Sequence, residues 1–172
     1  MNVKFLNPFI DAVYEVLEAE TSLQVQRGSL SLETDPYLTQ DVTVVIGMVG
    51  QVEGSVFYGM SYTMALNLVS RMMGETYESF DTLAQSGIAE LGNVITGRAS
   101  IKLADSGFEA TLSPPTLIEG ADATISTLDN PRLVVPLMSE AGDMVIHLAL
   151  RERTNFSLST PQIETPPAPS LL

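Results

Sequence analysis

Two helical patterns, 75 residues apart, constrain this chain more than any other feature of it. Shifting the first by that interval lays Phe9, Val13 and Val16 on Ala84, Ile88 and Leu91, so an apolar face recurs in register. Strand patterns follow each helix. After the first come Thr21 to Leu32 (broken at Gly28), Val42 to Val49 and Gly54 to Tyr58. After the second come Glu109 to Ile118, Arg132 to Met138 and Met144 to Leu150. A connecting helix, capped at Ser61 and stopped at Gly74, occurs once between them. This order reads as a duplicated helix-plus-three-strand unit in one compact α+β domain, with long helices packed on an antiparallel-rich sheet.

Local signals set the expected boundaries. Asn7 is the expected cap of the first helix, with Pro8 in its first turn, and Gly50-Gln51 turns the first pair of long strands. The repeated helix is expected from about Phe80 to Asp105, ending before Gly107. The domain then covers residues 1–153. From 154 to 172 the chain carries Pro161, Pro166, Pro167 and Pro169 among few apolar residues, the composition of a disordered tail.

Charge narrows the function. Eight Lys and Arg stand against 21 Asp and Glu, a net charge of −13. Such a surface repels phosphate backbones and anionic lipid, which argues against nucleic acid and membrane partners. There is no cysteine and His147 is the only histidine, so a structural zinc site is not expected. No secretory signal or membrane-spanning apolar run is recognisable, and the expected setting is the cytoplasm.

The repeated helix carries the candidate chemistry. At about 100° per residue, Ser86, Glu90, Asn93 and Gly97 fall within about 60° of one another. Ala84, Ile88, Leu91, Ile95 and Ala99 gather on the opposite side. Gly87, Ala89 and Gly92 flank the polar row. Glycine inside a helix costs roughly 1 kcal/mol relative to alanine, so the expectation is that these small flanks let another backbone approach. A solvated helix face also carries Ser, Glu and Asn with no site at all. The same Glu-x-x-Asn spacing recurs at Glu152 and Asn155 with no role assigned.

Taken together, several motifs carry a resemblance. Ser86-x-x-x-Glu90-x-x-Asn93, followed by Pro114-Pro115, resembles the signature of the CheC/CheX/FliY chemotaxis phosphatases. Asn7-Pro8-Phe9, Gly50 to Gly54, Met72-Met73-Gly74, Glu90-Leu91-Gly92-Asn93 and Ser113-Pro114-Pro115-Thr116 look like the CheX branch in particular. The resemblance covers roughly residues 1–152. It implies a CheC-like domain, a homodimer, and an aspartyl-phosphate phosphatase acting on a phosphorylated CheY-like receiver. Glu90 and Asn93 would be catalytic, with Ser86, Gly87, Ala89, Gly92 and Gly97 forming the partner-binding face. The receiver would bring the divalent cation (Mg), and this chain would bind no cofactor or metal of its own.

Within that resemblance, Asn93 would position the attacking water and Glu90 would pair with the receiver's lysine. Ser86 would contact the receiver or brace Glu90. Pro114 and Pro115 would shape a strand start. The 75-residue shift maps Ser86, Glu90 and Asn93 onto Asp11, Glu15 and Glu18, and Ala89 and Gly92 onto Tyr14 and Leu17, so the first helix reads as a blunted copy. His147 reads as a surface or core-edge residue, and Met60, Met64, Met72 and Met73 as core or interface filler. Asp122, Asp129, Glu140 and Asp143 lack calcium-loop spacing. The rival function is a non-catalytic module that binds a response regulator, or resembles a flagellar switch protein, without hydrolysing anything.

Overall fold

A computed structural model describes residues 3–128 and 130–154. Asp129, Asn155 and the proline-rich stretch beyond it lie outside the described residues. A short 3₁₀ turn, Val3–Phe5, leads into helix α1, Leu6–Thr21. Its buried residues Phe9, Ala12, Val13, Val16 and Leu17 keep the helical spacing. Asn7 does not cap it: the cap position is Phe5, with no side-chain bond, and Asn7 lies within the first turn. The helix also runs further than its strand-like tail suggests. Ser22 adopts a left-handed φ of 54°, and its N–H donates to the Glu18 carbonyl, closing the last turn.

The segment expected as one strand from Thr21 is therefore two short pieces, β1 (Gln26–Arg27) and β2 (Ser31–Glu33). Two residues, Tyr37–Leu38, form β3, which among the described residues pairs with β8 (Thr124–Ile125) alone. The long hairpin of β4 (Val42–Gly50) and β5 (Val52–Met60) follows. Helix α2, Tyr62–Met73, is capped by the Ser61 hydroxyl accepting from Met64 N–H and is ended by Gly74 at φ 72°. Helix α3, Thr82–Asp105, is capped by Asp81, whose carboxylate accepts from Ala84 N–H at 2.9 Å. Then come β6 (Ala110–Leu112), β7 (Thr116–Glu119), β8, and the hairpin of β9 (Arg132–Ser139) and β10 (Gly142–Glu152).

Every strand pairing is antiparallel. The main sheet runs β1-β9-β10-β5-β4-β6, with β2 also on β9 and β7 also on β4. The pattern is two-fold. The two hairpins meet at β5 and β10, where Phe57 faces His147. The short strands after α1 pair with the second hairpin, and those after α3 pair with the first. The duplication read in the sequence is present, with its outer strands exchanged between halves.

One face of the sheet, through Val44, Ile46, Val56, Tyr58, Ile146 and Leu148, packs with all three helices into a single core. The other face is partly covered by the β3–β8 ribbon, where Tyr37 packs on Phe57 and Ala149. No helix among the described residues is long and apolar enough to cross a membrane.

Candidate functional site

Glu90 and Asn93 occupy successive turns of α3 and face outward, Glu90 exposed and Asn93 half-buried. The Asn93 amide lies 3.5 Å from a Glu90 carboxylate oxygen, a long and easily surrendered contact. Ser86, one turn earlier, is exposed, but its hydroxyl donates to the Thr82 carbonyl of its own helix at 2.9 Å. It does not brace Glu90. Gly97 is on the same side, and a side chain added there would meet nothing within 4 Å. Ala89 is half-buried beside the pair.

Gly87 and Gly92 differ from the expectation. Both are buried and turn inward. A Cβ on Gly92 would stand 3.0 Å from Val44 Cγ1 and 3.4 Å from Tyr58 Cδ2, so this glycine lets α3 lie directly on β4 and β5. A Cβ on Gly87 would meet Val69 and Met73 of α2. Neither opens the outer face to a partner. The close approach is to the chain's own sheet and helix.

That approach is locked next to the pair. Tyr58 Oη lies 2.7 Å from Thr96 Oγ1, and the Thr96 hydroxyl donates to the Gly92 carbonyl at 2.8 Å. Burial holds the Tyr58 phenol far above its ordinary pKa, so it stays a neutral link between β5 and α3. Pro114 and Pro115 separate β6 from β7 beside the same helix. Ser113 keeps the interrupted strand attached, accepting from Gly47 N–H at 2.8 Å. Their part is in shaping the sheet edge.

The outward side of α3 also carries large apolar residues that the polar motif does not include. Leu83, Val94 and Ile101 are exposed, at 53%, 36% and 58%. They stand 7, 4 and 11 residues from Glu90, within about 40° of its direction. The same angular count that gathers Ser86, Glu90 and Asn93 finds them.

On the first helix the matching acid is engaged within the fold. Glu15 binds Lys102 at 2.6 Å and approaches Arg98 at 3.9 Å, tying α1 to α3. Leu17, the counterpart of Gly92, is fully buried, and Tyr14 is partly exposed. The other candidates lie elsewhere. A depression of about 610 Å³ lies between the start of α1 and the end of α3, lined by Lys4, Asp11, Lys102 and Asp105 among others.

His147 is buried under the β3 ribbon, on the sheet face away from α3, with its ring 4.4 Å from that of Tyr37. Desolvation, aided by the Arg132 charge, lowers its pKa to about 4. Its burial is deeper than the core edge expected. Met60 and Met64 are core residues, while Met73 is partly exposed. Among the described residues, no three or more His, Asp or Glu side chains gather as a metal site.

An acid and an amide on the outward face of α3, which rests on an antiparallel sheet of two exchanged halves, make this an α+β protein with a candidate acid–amide site. The known proteins it resembles narrow the class. The model of the chemotaxis phosphatase CheX family matches residues 42–138. The CheY-P phosphatase CheX of Thermotoga maritima is 33% identical over 153 residues, covering 88% of this chain and 98% of that protein. The chain belongs to the chemotaxis phosphatase CheX family.

Solved structures agree. A CheC-like superfamily protein from Shewanella is 33% identical with a TM-score of 0.80, covering 88% of this chain and 99% of that one. CheX in the CheX–CheY–BeF3–Mg complex of Borrelia burgdorferi is 28% identical with a TM-score of 0.76, covering 88% of this chain and 100% of that one.

Proposed function

We propose that this chain is a response-regulator phosphatase that removes the phosphoryl group from the aspartyl phosphate of a CheY-like receiver. The observation that carries the reading is the Glu90–Asn93 pair, presented on an exposed helix in a chain of the CheX family. Two residues are enough only if the substrate is already reactive and brings its own cation, and an acyl phosphate in a receiver meets both conditions. Water attacks phosphorus in line, the bond from phosphorus to the aspartyl oxygen breaks, and inorganic phosphate and the free carboxylate result.

Asn93 offers a donor and an acceptor, which orients that water without placing a negative charge beside the phosphoryl oxygens. Glu90 releases its long contact to Asn93 and pairs with the receiver's lysine, setting the two proteins in register. Gly97 leaves the face open beyond them. The reading also places the chain in the cytoplasm as a homodimer, with residues 1–153 as the working domain and no resident cofactor. The cation, Mg, belongs to the receiver.

The test follows phosphoryl loss from receivers of the source organism, charged by a small-molecule phosphodonor. Asn93→Ala abolishes hydrolysis and retains binding, whereas Glu90→Lys loses both. Full activity in Asn93→Ala refutes the mechanism. Binding by the parent protein with no hydrolysis favours the interaction-module reading instead.

A further inference from the structure

Leu83, Val94 and Ile101 line one side of α3, and Met73 of α2, 43% exposed, reaches toward the same strip. The Met73 methyl lies 3.9 Å from where a Gly87 Cβ would stand, so the missing side chain leaves it room against α3. The result is an apolar strip beside the acid–amide pair, on a helix whose opposite side is already buried. A grouped apolar surface of this kind marks an interaction face, unlike a single exposed leucine.

Distance identifies the occupant. A standard protein complex covers about 800 Å² per partner, a disc of about 16 Å radius. At about 1.5 Å rise per residue, Val94 lies about 6 Å and Leu83 about 10 Å from Glu90 along the helix, with Ile101 at the margin. Any protein that seats its phosphorylated site on Glu90 and Asn93 therefore covers Leu83 and Val94 as well. A small phosphorylated metabolite would not. Charge makes the strip more necessary: the chain carries −13, and a phosphorylated partner is anionic at the point of contact.

We propose that Leu83, Val94 and Met73 are docking contacts that set affinity for the phosphorylated receiver, packing against apolar side chains that rim its active site. This rests on the phosphatase reading above. Here the strip supplies affinity, and Glu90 and Asn93 supply register and chemistry.

The experiment compares the parent protein, Leu83→Ser, Val94→Ser, the Leu83→Ser/Met73→Ser pair and Leu128→Ser. Leu128 is 83% exposed in the loop before β9 and serves as the control. Steady-state dephosphorylation gives kcat and KM, and titration with a beryllofluoride-activated receiver gives Kd. Each strip variant is expected to raise KM and Kd about tenfold, with kcat at saturation within about twofold and the melting temperature unchanged. Leu128→Ser leaves all four quantities as in the parent.

Unchanged KM in the strip variants of an active parent overturns the inference and leaves the phosphatase reading standing. A fall in kcat at unchanged KM also overturns it, since the strip would then act on chemistry and not on docking. A parent protein that neither hydrolyses nor binds any receiver removes the phosphatase reading and this inference together.

Discussion

Two glycines on one helix, Gly92 and Gly97, should respond differently to the same substitution. Adding a methyl at Gly97 meets nothing within 4 Å, so Gly97→Ala keeps only the gain in helix propensity, roughly 1 kcal/mol. In a chain of this size that raises the melting temperature by about 2–4 °C. At Gly92 the same methyl stands 3.0 Å from Val44 Cγ1 and 3.4 Å from Tyr58 Cδ2, so α3 must lift or β4 must yield. Overpacking of this order costs about 1–3 kcal/mol, which cancels or exceeds the propensity gain. Gly92→Leu adds three further carbons at the same point and costs on the order of 3 kcal/mol or more.

Lifting α3 also strains the Tyr58–Thr96 link and shifts Asn93, and a displacement of about 1 Å can lower catalysis on the order of a hundredfold. Thermal and denaturant unfolding of Gly92→Ala, Gly92→Leu and Gly97→Ala, with a dephosphorylation assay on the same samples, reads both effects. Were Gly92→Ala to stabilise as much as Gly97→Ala, the close seating of α3 on the sheet would be wrong.

His147 makes stability depend on pH. Its folded pKa of about 4 lies below its ordinary value of 6.5, so the unfolded chain binds the proton more readily. Folding stability is thus fully present above about pH 6.5 and declines as pH falls toward 4, by up to about 3 kcal/mol. Denaturant melts of His147→Phe should show a flatter slope between pH 7 and 5 than the parent; equal slopes would exclude the effect. On the first helix, Glu15→Ala removes an exposed pair with Lys102 and should cost at most about 1 kcal/mol, with kcat unchanged. A loss of rate matching that of Glu90→Ala, in a folded variant, would reveal a second working site on α1.

The elements held by local chemistry were the ones legible in the sequence. Ser61 and Gly74 bracket α2 because a hydroxyl cap and a left-handed glycine act within one turn. The long hairpins declare themselves by alternation. Thr21 to Leu32 misleads because Leu23 is buried as the tail of a helix cap, not as a strand residue. The strands β3 and β8 are two residues each and exist only through a pairing distant in sequence.

At the candidate site, the outward direction of Ser86, Glu90 and Asn93 follows from helical period alone. The roles of Gly87 and Gly92 do not follow from their small size, because a missing side chain does not say which neighbour uses the space. For Gly92 the angle carried the answer, since it lies nearer the Ile95–Ala99 side of the helix than the Glu90 side, but Gly87 lies only about 60° from Glu90 and its neighbour on α2 is a tertiary fact. The buried Tyr58–Thr96 link depends on how β5 packs beneath α3, which no local pattern encodes.

Neither half of this chain owns a complete sheet. Separated at residues 74–81, the first half would keep its hairpin, but β1 and β2 would have nothing to lie against and the outer edge of β4 would be bare. The object that completes such a half is a second copy of itself, offering its own edge strands in return. A single chain built this way behaves as a tethered pair, in which the connection replaces a concentration-dependent meeting of two molecules by an internal one. Tethering also frees the copies from having to match. One helix could keep an acid and an amide in the open while the other turned its acid, Glu15, into a strut against Lys102.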